Sequence, residues 1–325
     1  MQSRRLGKSD MSLTEVGLGC WQLGGDFGPV EAQQATNILE QAYESGVRFF
    51  DTADVYGDGI SEKFIGKFAA QHDDIYIATK VGRDASLFPA QYTKQGVRKS
   101  IEASLQRLNV DSIDLIQLHC IPTEVLKEGE VFQWLKEFKQ QGLIKYYGAS
   151  VESMEEAKLC LDDADLTSLQ LIINIFRQEA MSEVLDLAAK NNVGIIARLP
   201  YASGLLSGAV TAQRQFDTQD HRYYNRDGAA FHVGETFAGL PLEKALMLVE
   251  QLQCLLPESM SLAQGAIRWL LDYPQITSII TGASKPQQIA QNVLYANQQA
   301  LNSELHKQLA SFYHNEVSPW VRGNR

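Results

Sequence analysis

The chain has 325 residues, 45% of them hydrophobic, with 29 Lys plus Arg against 39 Asp plus Glu and a formal net charge of −10. That is long for one simple domain but ordinary for a single α/β barrel, and it supplies enough apolar material for a full core. The acidic balance argues against a general nucleic-acid or anionic-membrane surface, while leaving room for a local basic pocket.

Residues 2–16 read as a short hairpin turning at Gly7-Lys8-Ser9-Asp10, placed to cap one end of the remaining chain. A regular alternation then begins. Strands are expected at 16–19, 47–51, 75–80, 112–119, 144–150, 168–173, 194–199 and 278–281. Helices are expected between them at 31–45, 61–71, 93–108, 130–141, 154–161 and 182–190. After the seventh strand comes a polar insertion, about 203–240, then helices near 243–255 and 261–272. A helix at 286–296 follows the last strand, and an extra helix at 302–314 leads into an irregular tail. Strands alternating with helices imply a parallel sheet. Eight such units predict a (β/α)8 TIM barrel with an N-terminal β-hairpin and extra C-terminal helices, the whole of 1–325 being one barrel domain. The rival, a doubly wound open sheet, usually carries G-x-G-x-x-G after its first strand. The nearest match here, Gly17-Leu18-Gly19-Cys20-Trp21-Gln22, fails at the third glycine, and Gly66-Lys67-Phe68 is no Walker motif.

The four cysteines (Cys20, Cys120, Cys160, Cys254) are scattered with no C-x-x-C spacing. Neither a zinc site nor a disulfide framework is expected; reduced thiols in a cytoplasmic protein are. The first residues lack the apolar core of a secretory signal, and no apolar run approaches the ~20 residues of a membrane helix.

In a barrel the C-terminal ends of all strands open onto one face, where active sites lie. The stretch from Val47 to Gly57 runs from a β-rich apolar segment into a polar loop, with Asp51 at the strand end and Tyr56 beyond it. Taken alone, this is as well explained by a turn capped by Asp and covered by Tyr. The next strand ends in Lys80, the one after in His119, and later ones bring Ser150 and Gln170. A lone Lys there is usually a solvated rim charge, and a lone His a satisfied structural residue. An Asp, a Tyr, a Lys and a His converging on one mouth are harder to dismiss. A free phenol has a pKa near ~10. Lys80 would lower that of Tyr56, and Asp51 would hold Lys80 charged. Tyr56 would then be a general acid toward a carbonyl oxygen, with His119 donating a second hydrogen bond. No metal-ligand cluster is evident, and such chemistry needs a hydride carrier.

The motifs as a set resemble the aldo-keto reductase superfamily. Asp51-Thr52-Ala53-x-x-Tyr56-Gly57 followed by Ser61-Glu62, Ile77-Ala78-Thr79-Lys80 and Asp114-Leu115-Ile116-Gln117-Leu118-His119 carry the likeness, which runs from Gly17 to about Ala296. Gly24-Gly25-Asp26-Phe27-Gly28 is similar to a bacterial branch. The resemblance implies an NAD(P)(H)-dependent oxidoreductase acting on aldehydes or ketones, or on the matching alcohols or sugars. It implies Tyr56, Lys80, Asp51 and His119 as a catalytic tetrad, and a small-molecule carbonyl or alcohol substrate.

Cofactor contacts implied by the resemblance are Trp21, Asp51, Ser150, Gln170, Arg198, Pro200, Ala202, Gly204, Leu206, Gly282, Ser284, Lys285, Gln288 and Asn292. Val151 stands where the family's Ser-Asn pair has Asn, and Arg198 where many members place an aromatic. Lys285 facing a 2′-phosphate would favour NADP(H), with NAD(H) also accommodated. Substrate walls are expected from Trp21, Phe27, Tyr56 and His119, with Cys120 and Ile121 as further candidates and Trp320 folding over the mouth. The stretch Asp220-His221-Arg222-Tyr223-Tyr224 reads equally as a cofactor lid and a solvated loop. No metal, nucleic-acid or membrane partner is expected, and a homo-oligomer is compatible with the sequence. Alternatives left open are a non-catalytic nicotinamide-binding sensor or regulatory subunit, and a lyase using Lys80 as a Schiff-base nucleophile.

Overall fold

The computed structural model describes residues 1–25, 27–28 and 30–324, so Asp26 of the glycine-rich stretch lies outside the described residues. Strands β1 (Ser3–Arg5) and β2 (Ser12–Thr14) pair antiparallel as a hairpin. Eight strands then close into a parallel barrel: β3 (Val16–Gly19), β4 (Phe49–Asp51), β5 (Tyr76–Val81), β6 (Ile113–His119), β7 (Ile144–Ser150), β8 (Ser168–Ile172), β9 (Gly194–Arg198) and β10 (Ile276–Gly282). Their order round the barrel follows the chain, and β10 returns to pair with β3. The expected fold is therefore the observed one.

The hairpin plugs the N-terminal end. Leu6, Met11 and Leu13 are buried against Phe49, Ala78, Leu115, Ile196 and Ile280 inside the barrel. Each such side chain contributes roughly 1.5–3 kcal/mol on burial. Gly7 turns the hairpin at φ +49°, and a Cβ there would sit 2.6 Å from the Asn192 carbonyl oxygen, so only glycine fits. With that end filled, the strands' C-terminal ends are the open face.

Helices wrap the outside, each burying an apolar stripe. Helix Ala32–Glu44 turns Ala35, Ile38, Leu39 and Ala42 inward, as the 3.6-residue period requires. Helix Met154–Leu161 starts on a reciprocal cap, in which Ser153 accepts from the Glu156 N–H and Glu156 accepts from that of Ser153. Trp269 is fully buried, and Trp134 packs partly buried against the core.

Several boundaries differ from expectation. Strand β5 runs one residue past Lys80 to Val81, and β4 starts only at Phe49. The helix expected at 182–190 is two, Glu179–Glu183 and Leu185–Lys190, because Val184 sits at φ −127° between them. A helix at Thr123–Glu128, just after β6, adds to the expected set. Among the described residues no helix is long and apolar enough to cross a membrane.

The tail corrects one expectation. Trp320 does not fold over the mouth; it stays exposed beside Lys244, whose Nζ lies 4.8 Å from its ring centroid. The neighbouring Arg322 is the side chain that reaches back. It donates to the Gly239, Arg226 and Leu240 carbonyls and pairs with Asp227, strapping the tail to the insertion.

Candidate active site

Strand register places the polar side chains on the open face. Lys80 on β5 lies opposite Gln117 on β6, His119 opposite Ser150 on β7, and Ser150 opposite Gln170 on β8. Asp51 ends β4. Its Oδ1 meets Lys80 Nζ at 2.5 Å, and its Oδ2 accepts from Gln117 Nε2 at 3.1 Å and Gln170 Nε2 at 2.7 Å. Lys80 also donates to the Thr52 carbonyl at 2.7 Å and to Tyr56 Oη at 3.2 Å. Ser150 Oγ donates to Gln170 Oε1 at 3.1 Å.

Tyr56 is held by its loop rather than by a strand. Thr52 Oγ1 donates to Ser61 Oγ, which donates to the Cys20 carbonyl. Gly24 and Gly57 then meet backbone to backbone: a Cβ on Gly24 would come within 2.6 Å of Gly57 N, and one on Gly57 within 2.5 Å of the Gly24 oxygen. Behind the loop, buried Glu62 accepts from Thr79 Oγ1 and pairs with Arg107, both at 2.5 Å. Asp54 is buried beside this cluster, bonded to Ser100. Burial, reinforced by Glu62, pushes its carboxyl up to about 7.

Burial alone would pull Lys80 down, but Asp51 and Tyr56 outweigh it and hold the ammonium above its ordinary value. It therefore stays charged. For Tyr56 the balance goes against the sequence expectation. Burial pushes the phenol up to about 12, although Lys80 pulls the other way. The reason is that the same packing that brings Lys80 near also removes water. Burial, with Arg83, Lys80 and Arg198 close by, pulls His119 well below its ordinary value, so the ring is neutral. Its Nδ1 has no hydrogen-bond partner among the described residues.

These groups floor a cavity of about 610 Å³. Asp51, Tyr56, His119, Ser150, Gln170, Trp21, Phe27, Arg198, Pro200, Gly204, Gly282, Ser284, Gln288 and Asn292 all line it. Lys80 lies just beneath, touching Tyr56 from below. Three expected contacts, Ala202, Leu206 and Lys285, lie outside this lining. Ala202 and Leu206 turn their side chains into the core. The N–H groups of Ala202, Gly204 and Leu206 are bonded within their own turn. Lys285 is exposed and outside the lining. Gln288 folds back so that its Oε1 accepts from the Ser284 and Lys285 N–H groups, capping its own helix. Asn292 Oδ1 accepts from Tyr201 Oη at 2.6 Å, while its buried Nδ2 has no partner among the described residues.

The insertion covers the mouth. Short helix His221–Tyr224 is capped by Asp220, which also pairs with Arg222. His221 is fully buried, its ring 4.7 Å from Trp21 and 4.4 Å from Phe27 by centroids. Arg222 lies over the Phe27 and Phe216 rings. Asn225 ties the segment together, accepting from the Ala230 and Phe231 N–H groups and donating to Thr236. Within 220–224, Asp220 and His221 are buried while Tyr223 is exposed, so the stretch is not a fully solvated loop.

The sequence reading missed an ionic wall. Glu235, carried by the insertion, pairs with Arg83 at 3.2 Å and Arg198 at 3.5 Å, and Arg83 reaches Glu152 at 3.7 Å. Arg198 also donates to the Val151 carbonyl at 3.3 Å, which ties its guanidinium into this wall. Burial opposes charge on Glu235, but Arg198 and Arg83 hold it down at about 2. Burial and Glu235 push Glu152 up to about 7. Cys120, Glu152 and Glu235 offer atoms within 4.8 Å of one another, but the two arginines beside them disfavour a cation. Gln117 was also missed, although its signal was present: it lies two residues before His119 and so faces the same side of β6. No local pattern marked Glu235.

The sequence profile of the Aldo/keto reductase family matches residues 15–314. The uncharacterized oxidoreductase YqkF of Bacillus subtilis is 31% identical over 320 residues, 96% of each chain. The L-glyceraldehyde 3-phosphate reductase of Escherichia coli K12 is 32% identical, covering 93% of this chain and 88% of its own. Among solved structures, an aldo-keto reductase of Bacillus halodurans in its holo form superposes with a TM-score of 0.77 at 27% identity, covering 96% of both chains.

Proposed function

The chain belongs to the aldo/keto reductase family and is an oxidoreductase, and from that premise we propose that it interconverts carbonyl compounds and alcohols with a nicotinamide dinucleotide, Tyr56 moving the proton. The observation that carries this is the buried contact of Lys80 Nζ with both Asp51 (2.5 Å) and Tyr56 Oη (3.2 Å) at the base of the cavity. A phenol raised to about 12 is fully protonated at neutral pH and ready to donate. As a carbonyl oxygen takes that proton, the fixed ammonium of Lys80 stabilises the phenolate left behind. Neutral His119, also lining the cavity, orients the same oxygen. In the oxidative direction the phenolate takes the proton back.

The bound nicotinamide would supply and accept the hydride. The residues present fit such a group. Ser150 and Gln170 bring a hydroxyl and an amide to the cavity lining, and Asn292, also in the lining, has a buried Nδ2 with no partner among the described residues. We assign NADP(H) as the preferred form, with NAD(H) accommodated. Arg214 lines the cavity without an ion pair among the described residues, and exposed Lys285 follows Ser284, which lines it too. The substrate is a small carbonyl compound or alcohol, a class that includes the aldehyde for which the Escherichia coli relative is named. The chain acts as one barrel domain in the cytoplasm.

A Schiff-base role for Lys80 is not adopted, because a nucleophilic amine must be neutral and this one is held charged. Tyr56→Phe tests the proposal. Cofactor binding, followed by fluorescence, should persist while turnover, followed by nicotinamide absorbance, falls by roughly 10²–10⁴-fold. Unchanged turnover would overturn the assignment of Tyr56.

A further inference from the structure

The Lys80 ammonium has three donors, and all three are taken: by Asp51 Oδ1 at 2.5 Å, the Thr52 carbonyl at 2.7 Å and Tyr56 Oη at 3.2 Å. The first two bonds therefore aim the third at the phenol. One of those anchors is soft. The torsion that sets the plane of an aspartate carboxylate has a broad, two-fold well, so its partners decide where each oxygen points. On Asp51 the second oxygen, Oδ2, is held by two amides, Gln170 Nε2 at 2.7 Å and Gln117 Nε2 at 3.1 Å. The two amides are not equivalent. Gln170 lines the cavity, so a molecule filling the cavity can compete for it. Gln117 lies outside that lining, is fully buried, and stands opposite Lys80 on the neighbouring strand. Its Oε1 is buried with no hydrogen-bond partner among the described residues. An apolar side chain of the same shape would fill that place without an unmet acceptor, so packing alone does not account for an amide.

We infer that Gln117 is a positioning residue for the proton transfer at Tyr56, acting through Asp51 and Lys80 by fixing the Asp51 carboxylate whatever occupies the cavity. This rests on the reading that Tyr56 gives its proton to a carbonyl oxygen. The chain of contacts is continuous: Gln117 Nε2 to Asp51 Oδ2, Asp51 Oδ1 to Lys80 Nζ, Lys80 Nζ to Tyr56 Oη. A carboxylate paired with an ammonium only accepts, which turns the NH2 side of the Gln117 amide toward it. Without that amide, Oδ2 keeps Gln170 alone. A cavity occupant that draws Gln170 away then leaves the oxygen bare, and the carboxylate turns on its soft torsion, taking the Lys80 ammonium with it. The bond to Tyr56 is the longest of the three made by Lys80, so a tilt is felt there first. The ammonium matters most when the phenol has given up its proton, so the loss falls on the chemical step and not on binding.

The test follows single-turnover hydride transfer by nicotinamide absorbance, so that product release does not hide the chemical step. The cofactor is the tighter-binding of NADPH and NADH, and the substrate is methylglyoxal or glyceraldehyde, whichever the wild type reduces faster. Gln117→Met keeps the length of the side chain and removes the amide. Its rate should fall by roughly 10–100-fold, while the cofactor Kd by fluorescence and the substrate KM stay within about twofold of wild type. Gln117→Glu gives a second readout. Protonated, its carboxyl donates an O–H to Asp51 in place of the amide; ionised, it sets a second negative charge beside Asp51 and the single ammonium of Lys80. Asp51, Lys80, Tyr56 and His119 face the site in both proteins, so the ratio of the variant's rate to that of wild type isolates the new carboxyl. That ratio should be near one at about pH 5 and drop by about tenfold or more by about pH 9. A Gln117→Met rate within about twofold of wild type, or a loss matched by equally weakened cofactor binding, overturns the inference and makes Gln117 a packing residue. A Gln117→Glu ratio that does not change with pH also overturns it, and decides alone if Gln117→Met does not fold. Tyr56→Phe, run alongside, separates the two readings: normal turnover there removes the Tyr56 assignment and this inference with it. No reduction of either aldehyde with cofactor bound overturns both.

Discussion

The cavity has two charged walls built on opposite principles. At the barrel mouth, Asp51, Lys80, Gln117, His119, Ser150 and Gln170 all stand on barrel strands, and the register sets Lys80 opposite Gln117, His119 opposite Ser150, and Ser150 opposite Gln170. In the insertion, Glu235, His221 and Arg222 are fixed by side chains bonding to irregular backbone, as Asn225 and Ser203 do. Ser203 Oγ donates to the Glu235 carbonyl and accepts from the Phe237 N–H. The first wall shares its stability with the whole barrel; the second stands on a few local bonds. On the proposed reading, the groups that charge and flank the Tyr56 phenol sit on the rigid first wall, and the second encloses the cavity.

Substitutions on each wall test that division. The largest effect is expected at the strand-end wall. Lys80→Met leaves Asp51 buried without its cation, so denaturant unfolding should show a loss of roughly 3–5 kcal/mol. Turnover should fall by about 10²–10⁴-fold, and an enzyme within tenfold of wild type would refute the division. A smaller effect is expected in the insertion. Asn225→Ala strips the Ala230 and Phe231 N–H groups of their acceptor, a cost of about 1–3 kcal/mol each if they stay dry. The expected outcome is faster limited proteolysis within 203–240 and weaker cofactor binding, with melting of the barrel little changed. If the barrel melted with it, the two walls would be one cooperative unit.

The last test concerns Asp54 beneath the Tyr56 loop. Its carboxyl is at about 7 in the fold and 3.8 as a free group. Between those values the folded state holds a proton that the unfolded chain has lost, so stability falls as pH rises from one to the other. Asp54→Asn removes that slope. Thermal melts should show the variant gaining on wild type by up to about 4 kcal/mol as pH rises from 4 to 8. A constant difference between the two proteins across that range would contradict the buried, protonated state.

The two walls also differ in how far the sequence revealed them. In a strand the period of two ties each residue to a face, so the residue order alone puts Asp51, Lys80 and His119 on one mouth. The alternation of strands and helices announced the closed barrel for the same reason. Gln117 shared that signal and could have been read from it. Glu235 had none: it sits in a short turn, Val233–Glu235, brought to Arg198 by contacts of the intervening chain with Trp21 and Phe27. Ala202 and Leu206 show the converse. They match a family segment in sequence, but packing turns their side chains into the core. The phenol of Tyr56 was misjudged in direction because a sequence shows which charge is near but not how much water is lost.

The contact between Gly24 and Gly57 bears on how such an enzyme could be altered. Neither position tolerates a side chain, because each backbone occupies the space the other's Cβ would need. The turn that presents Trp21 and the turn that presents Tyr56 are thus clasped as one piece. Redesign for new compounds that begins at residue 24 would shift Tyr56 along with Trp21. Libraries aimed at Phe27 and at the insertion side of the cavity leave that clasp alone, and they are where altered preference can be sought without forfeiting turnover.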